Sequence, residues 1–194
     1  MRWFKDFPLI LVEGFSLGPL SEQESRALFD LYSDNRVCMF LQREPMRQEK
    51  EAEALIRKWQ EDFRHRRGIR WGIYKDAGEE KALMGTVAIH YVDSINRRAE
   101  LGADLFPCYW GAGIISRLVE RLKEAAFKEL GLHRLEIRCM PDNIASVRIA
   151  LKAGFTFEGT LRDYVYIPGK GFTDESVYRL LAPEYFSGSP ASEE

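Results

Sequence analysis

Four groups of residues are of types and spacings that can do chemistry. The first is Cys108-Tyr109-Trp110-Gly111-Ala112-Gly113-Ile114-Ile115-Ser116, where two glycines directly precede an amphipathic run. Glycine lets a backbone approach a ligand closely, and the free N–H groups at a helix start attract an anion. The stretch lacks the Gly-Lys-Ser/Thr ending of a P-loop and is not a full G-x-G-x-x-G, so nucleotide hydrolysis and dinucleotide binding are poorly supported. On its own it reads either as an anion cradle or as a tight turn. The second group is Glu100, Gly102 and Asp104, which share one face of a strand and suit proton transfer. A solvated carboxylate at a strand start is the competing reading of Glu100. The third is Asn143 with Ser146, spaced as an N-cap and a first-turn serine. The fourth is Cys139, which reads as core or as a reactive thiol.

The elements that must position these residues follow from periodicity. Pro8 to Leu20 reads as an apolar strand interrupted by Gly14 and Gly18. Ser21 to Glu24 has capping-box form and starts a short helix through about Tyr32, followed by a loop to Pro45. Ala52, Leu55, Ile56, Trp59 and Phe63 predict a helix over about Glu49 to Arg66. Its basic end, Arg64 to Arg67, complements the helix dipole, and Gly68 closes it. Strands are expected at Arg70 to Lys75, Ala82 to Tyr91 and Glu100 to Phe106, joined by polar turns at Asp76 to Glu80 and Asp93 to Arg98, as an antiparallel meander. Ile114, Leu118, Leu122, Ala126 and Leu130 form the stripe of a helix closed by Gly131. Leu135, Ile137 and Cys139 alternate as the next strand, so strand, helix and strand make a crossover with its two strands parallel. Asn143 caps a helix ending near Gly154; Phe155 to Tyr166 and Glu175 to Leu181 close the sheet around a Pro168 to Gly171 turn. One domain over 1–186 and a loose polar tail over 187–194 are expected.

Composition narrows the function classes. The 194 residues carry 28 Lys and Arg against 30 Asp and Glu, a net charge of -2, which argues against general nucleic-acid binding. Cys38, Cys108 and Cys139 are scattered with no C-x-x-C, so neither a disulfide framework nor a zinc site is indicated. His65, His90 and His133 have no ligand spacing and read as structural, so no metal is expected. The apolar run Pro8 to Val12 is too short for a signal h-region or membrane span, and a soluble cytoplasmic protein is the expectation.

Together these segments resemble the GNAT superfamily of acetyl-CoA-dependent N-acetyltransferases, in the branch that acetylates N-termini of ribosomal proteins. The matching residues are Glu100-Leu101-Gly102, Tyr109 to Ser116, Leu130 to Glu136, Asn143 to Ser146, Lys152 to Phe155 and Glu158 to Asp163. Tyr32 to Asp34 and Arg70 to Ile73 match more loosely. The resemblance implies an α/β (α+β) fold: a central mixed, mostly antiparallel sheet with a splayed parallel strand pair, flanked by helices. It implies that N–H groups of Gly111, Ala112, Gly113, Ile114 and Ile115 hold the CoA pyrophosphate, with Ser116 adding a bond. Cys108 stands where the family often has Gln or Arg. Leu105 and Phe106 are placed beside the pantetheine arm, Asn143 against that arm, and Ser146 near the thioester sulfur. Ala150 occupies a slot where many members carry a tyrosine acid, so Ser146 is the substitute. Glu100 is the expected base. Tyr164, Val165 and Tyr166 stand where some relatives have a second carboxylate.

The acceptor implied is a protein N-terminal α-amine. An amine of pKa ~8 is roughly a tenth neutral at pH 7, against roughly 0.04% for a lysine of pKa ~10.4, so one weakly tuned Glu suits the former. The rivals are a small amine (polyamine, aminoglycoside or amino acid) and a CoA-binding sensor without catalysis. A polyamine favours an acidic groove, which Asp104 and the Asp174-Glu175 pair do not clearly supply. A homodimer is compatible with the resemblance.

Overall fold

The computed structural model describes residues 4–41, 43–75 and 82–188. The Asp76 to Glu80 turn and most of the polar tail lie outside the described residues. The chain builds one eight-stranded sheet with strands in the order β1-β2-β3-β4-β5-β6-β8-β7. β3 (Ile69–Lys75), β4 (Ala82–Asp93) and β5 (Arg98–Leu105) form the expected antiparallel meander. β6 (Arg134–Cys139) runs parallel to β5, and the long hairpin of β7 (Thr156–Ile167) and β8 (Gly171–Leu181) completes the sheet antiparallel.

The N-terminal stretch differs from its sequence reading. It is not one interrupted strand but a hairpin of β1 (Ile10–Val12) and β2 (Phe15–Gly18) turning at Glu13-Gly14. Gly14 has φ 85°, the left-handed backbone that a two-residue hairpin loop demands. The Ser21–Glu24 capping box forms, with Ser21 N–H donating to Glu24 Oε2 at 2.7 Å, and leads through a short 3-10 turn into α1 (Ser25–Ser33). The expected loop after it contains one more turn of helix, α2 (Asn35–Cys38), because Asp34 caps the Arg36 N–H at 2.8 Å. α3 (Glu49–Arg64) is followed by Arg66, which itself takes the positive φ, 58°, so Gly68 does not close the helix.

Two apolar clusters hold the layers. The stripe of α4 (Ile114–Glu124) and its following π-helical turn (Ala125–Glu129) packs Leu118, Leu122 and Ala126, all fully buried, with Ile69, Trp71 and Ile73 of β3. Alternate β3 residues point the other way, and Arg70 meets Trp59 of α3. On that side Leu28, Leu31, Tyr32, Ala52 and Ile56 of α1 and α3 form the second cluster. Lys123 is the one polar residue of α4 that is buried. Its ammonium donates to the Ala153 carbonyl at 2.6 Å, fastening α4 to the end of α5 (Ile144–Lys152). A last helix, α6 (Ala182–Ser187), was not read from the sequence; Pro183 in its first turn and Gly188 at φ 71° are its local signals. Tyr185 holds it to the core by stacking on Phe127, 4.8 Å between ring centroids.

One glycine fixes how close β4 and β5 run. A Cβ on Gly85 would sit 2.0 Å from the Asp104 carbonyl oxygen and 2.8 Å from Leu105 Cα. Gly85→Ala must push the strands apart and is expected to lower the unfolding free energy by about 1–3 kcal/mol in urea titration. An unchanged midpoint would contradict the close approach.

Candidate active site

The glycine stretch forms a short 3-10 turn, Pro107–Tyr109, and then the start of α4. Gly111 and Gly113 have φ of 76° and 72°, a backbone that other residues adopt only with strain. Nothing lies within 4 Å of a Cβ built on either, so backbone conformation and not packing requires glycine here. The first helical hydrogen bond is Arg117 N–H to the Gly113 carbonyl at 3.2 Å. The N–H groups of Ile114, Ile115 and Ser116 therefore have no acceptor within the helix, which makes the helix start a donor cluster at its positive dipole end. Gly111, Gly113, Ile114, Ile115 and Ser116 line a cavity of about 500 Å³ together with Leu105. Ala112 is exposed and does not line it, and the Ile114 side chain is core. Cys108 is exposed.

Behind this loop the sheet opens. β5 and β6 pair from Arg98–Arg134 only as far as Leu101–Ile137. Beyond that rung β5 stays paired with β4 up to Leu105–Gly85, and β6 with β8 up to Cys139–Ser176. The parallel pair is therefore splayed, and a second cavity of about 260 Å³ fills the fork, lined by Glu100, Ala103, Ile137, Asn143 and Ser146 among others. Phe106 donates its N–H to the Met84 carbonyl at 3.0 Å, so that group is committed to β4. Strand alternation then turns the backbone groups of Ala103 and Leu105 toward the gap. The Leu105 carbonyl accepts the Trp110 indole N–H at 2.9 Å.

Glu100 stands on the last paired rungs, at the base of the fork. Burial pushes its carboxyl up to about 7; the Arg138 guanidinium at 3.3 Å opposes the shift, and the Glu136 and Glu175 carboxylates add to it. Arg138 is shared, donating also to Glu136 (2.9 Å) and Glu175 (3.4 Å), so one cation serves three carboxylates. Tyr164, in the segment where a second carboxylate is missing, lies beside the same guanidinium and favours its charged form.

The space above Gly102 holds an imidazole. A Cβ there would lie 3.0 Å from His90 Nε2. Burial and the neighbouring Arg70 drive His90 down to about 3, so the ring is neutral at ordinary pH. A bulge between His90 and Asp93, with Tyr91 at φ 50°, breaks the regular register here. The period-2 pattern placed His90 on a strand but carried no sign of this neighbourhood. Asp104, on the same face as Glu100, is consumed by its partners: it accepts from the Tyr32 hydroxyl (2.8 Å) and from Arg70 Nη1 (3.2 Å).

On the opposite wall Asn143 Oδ1 accepts the Ser146 N–H at 3.2 Å and caps α5. Asn143 and Ser146 both line the fork and the larger cleft before it. Ala150 is fully buried, with no hydroxyl in its slot. Cys139 lines the fork, but burial raises its thiol to about 11, which keeps it protonated and favours the core reading. A third, wider cavity of about 1120 Å³ lies between α3 and the meander and meets the fork at Arg70, His90 and Asp104. No group of three or more potential metal ligands occurs among the described residues.

A donor cluster, a forked sheet and a carboxyl poised near neutrality thus lie in sequence along one cleft. The family model for the acetyltransferase (GNAT) domain matches residues 15–156. The uncharacterised N-acetyltransferase YoaA of Bacillus subtilis (strain 168) is 33% identical over 177 residues, 91% of this chain and 98% of its own. The ribosomal-protein-serine acetyltransferase of Escherichia coli (strain K12) is 29% identical over 103 residues, 53% of this chain and 57% of its own. The crystal structure of spermidine N-acetyltransferase from Vibrio cholerae in complex with CoA and spermine superposes with a TM-score of 0.76 at 22% identity, covering 90% of this chain and 99% of that one. The extent of the family match and of the YoaA likeness shows that this chain belongs to the GNAT family of N-acetyltransferases.

Proposed function

We propose that this enzyme moves an acetyl group from acetyl-CoA directly to the N-terminal α-amine of a protein, of the ribosomal-protein type, within a ternary complex. The observation that carries the reading is the Glu100 carboxyl, raised to about 7 at the base of the fork. A carboxylate of that basicity suits an α-amine and is poorly matched to a lysine side chain.

The residues present fit acetyl-CoA. The free N–H groups of Ile114 to Ser116, reached over Gly111 and Gly113, supply donors and dipole for the pyrophosphate. The gap-facing groups of Ala103 and Leu105 offer the pantetheine amides a strand edge. The Leu105 carbonyl accepts the Trp110 indole N–H with one lone pair and keeps the other for the arm. Asn143, whose Oδ1 is held by the Ser146 N–H, keeps its amide N–H₂ for the same arm. N–H groups of the splayed strand stabilise the developing oxyanion. Glu100 takes the ammonium proton through water, beside a neutral His90 that adds no positive charge to repel the incoming amine. Ser146 stands nearest the departing thiolate. Its sulfur, with a thiol pKa of roughly 8.5, needs little acid help near neutrality, so Ala150 in the tyrosine slot does not prevent turnover.

Gly113→Val replaces a left-handed glycine and is expected to weaken acetyl-CoA binding by about tenfold or more in calorimetry, with helix content unchanged by circular dichroism. Undiminished affinity would remove the loop from the CoA site. Glu100 must be ionised to act as base, so kcat/KM should fall as pH drops through about 7. Glu100→Gln should lose about 10²- to 10⁴-fold in rate and lose that limb of the profile, leaving only the limb of the acceptor's own amine. A Glu100→Gln enzyme with full activity from pH 6 to 9 would exclude Glu100 as base.

A further inference from the structure

The widest cavity is lined by a cation that makes no ion pair among the described residues. It is lined by Arg43, Lys58, Arg67 and Arg70 and by three carboxylates, Glu44, Asp62 and Asp104. Two of the carboxylates are taken within the wall. Asp62 is shared by Lys58 (3.3 Å) and Arg67 (2.9 Å), and Asp104 pairs with Arg70 (3.2 Å). Glu44 pairs with Arg47 at 3.7 Å. Arg43 makes no ion pair among the described residues, and its Nε is buried with no hydrogen-bond partner. Buried donors are nearly always paired; with Nε covered by the protein, it is the outer N–H groups of the Arg43 guanidinium, at the cavity wall, that are placed to meet an acceptor on a ligand.

The mounting of Arg43 agrees. Its guanidinium lies 4.8 Å from the centroid of the Tyr32 ring. Tyr32 is itself buried and fixed by its hydroxyl bond to Asp104. Arg70 is stacked in the same way on Trp59 at 4.6 Å, and Trp59 meets Tyr32 edge-on. A stacked guanidinium keeps its plane and presents a fork of donors that matches a carboxylate. Because this cavity joins the fork at Arg70, His90 and Asp104, a molecule lying in it has one end near Glu100.

We propose that the acceptor carries a carboxylate close to its reacting amine, and that Arg43 binds this carboxylate and selects for it. This rests on the reading of the chain as an amine acetyltransferase. For a protein N-terminus the carboxylate is an Asp or Glu side chain within the first few residues. A polyamine brings only positive charge and meets an unneutralised arginine.

The test is CoA release by the full chain with one heptapeptide series that differs only at the second residue: Asp, Asn, Glu, Gln or Lys. Free aspartate, free glutamate and spermidine are assayed beside it. The wild-type enzyme is expected to prefer each acidic peptide over its amide twin by about 10- to 100-fold in kcat/KM, mainly through KM. Arg43→Gln should bring the acid-to-amide ratio close to one, each variant serving as its own reference, and Arg43→Lys should restore part of it. Faster acetylation of a free amino acid than of any peptide supports the carboxylate but replaces the protein N-terminus as acceptor. Equal rates on acid and amide peptides, a ratio that Arg43→Gln leaves intact, or spermidine as the best substrate each overturn the proposal while leaving acetyl transfer standing. Absence of CoA release with every amine overturns both.

Discussion

The site depends on the point at which two parallel strands stop pairing. β5 and β6 share hydrogen bonds as far as Leu101 and Ile137, and each then continues with its outer neighbour alone. Nothing about either strand is irregular in isolation. The opening exists because β4 holds β5 through Leu105 while β8 holds β6 through Cys139, and the two halves of the sheet diverge between them. Glu100 sits at the crotch of this fork, the α4 N-terminus at its mouth, and the α5 cap along one wall. The packed stripe of α4 and the Lys123 bond to Ala153 keep those helices from closing the gap.

Charge at the base of the fork follows from simple counting. Arg138 faces Glu100, Glu136 and Glu175, with Glu136 and Glu175 almost fully buried. Glu136 has a second cation in Arg134, which is itself tied to Glu158. Glu100 lies 3.3 Å from Arg138, but burial and the two neighbouring carboxylates outweigh that cation and raise its proton affinity. Burying charges without full compensation is costly, and here that cost is concentrated on one carboxyl. Structural ion pairing and proton affinity are therefore two aspects of the same cluster.

Much of this was legible in the sequence because it is local. The capping box at Ser21, the stripe from Ile114 to Leu130, the glycines at 111 and 113 and the Asn143 cap each need only a few neighbouring residues. The crossover implied a parallel pair, and the family resemblance implied that it splays. What could not be read depends on residues far apart. Tyr32, Arg70 and Asp104 meet across separations of 72 and 34 positions, and no periodic pattern encodes that contact. His90 looked like an ordinary strand residue because alternation fixes a face but not what lies across it. The Glu13-Gly14 hairpin and α6 were missed for another reason: each is so short that one glycine or proline is its whole signal.

An opening inside a sheet has the same exposed chemistry as the outermost strand: a row of backbone donors and acceptors able to template another chain. Here that row is recessed between two walls rather than laid along the rim, so an incoming strand finds no flat approach. The Trp110 indole N–H covers one of its acceptors, the Leu105 carbonyl. Such an edge is open to a slender molecule that can enter the fork and closed to a polypeptide that needs a flat rim. The depth of one fork therefore decides what can reach backbone groups that an outer strand would leave open.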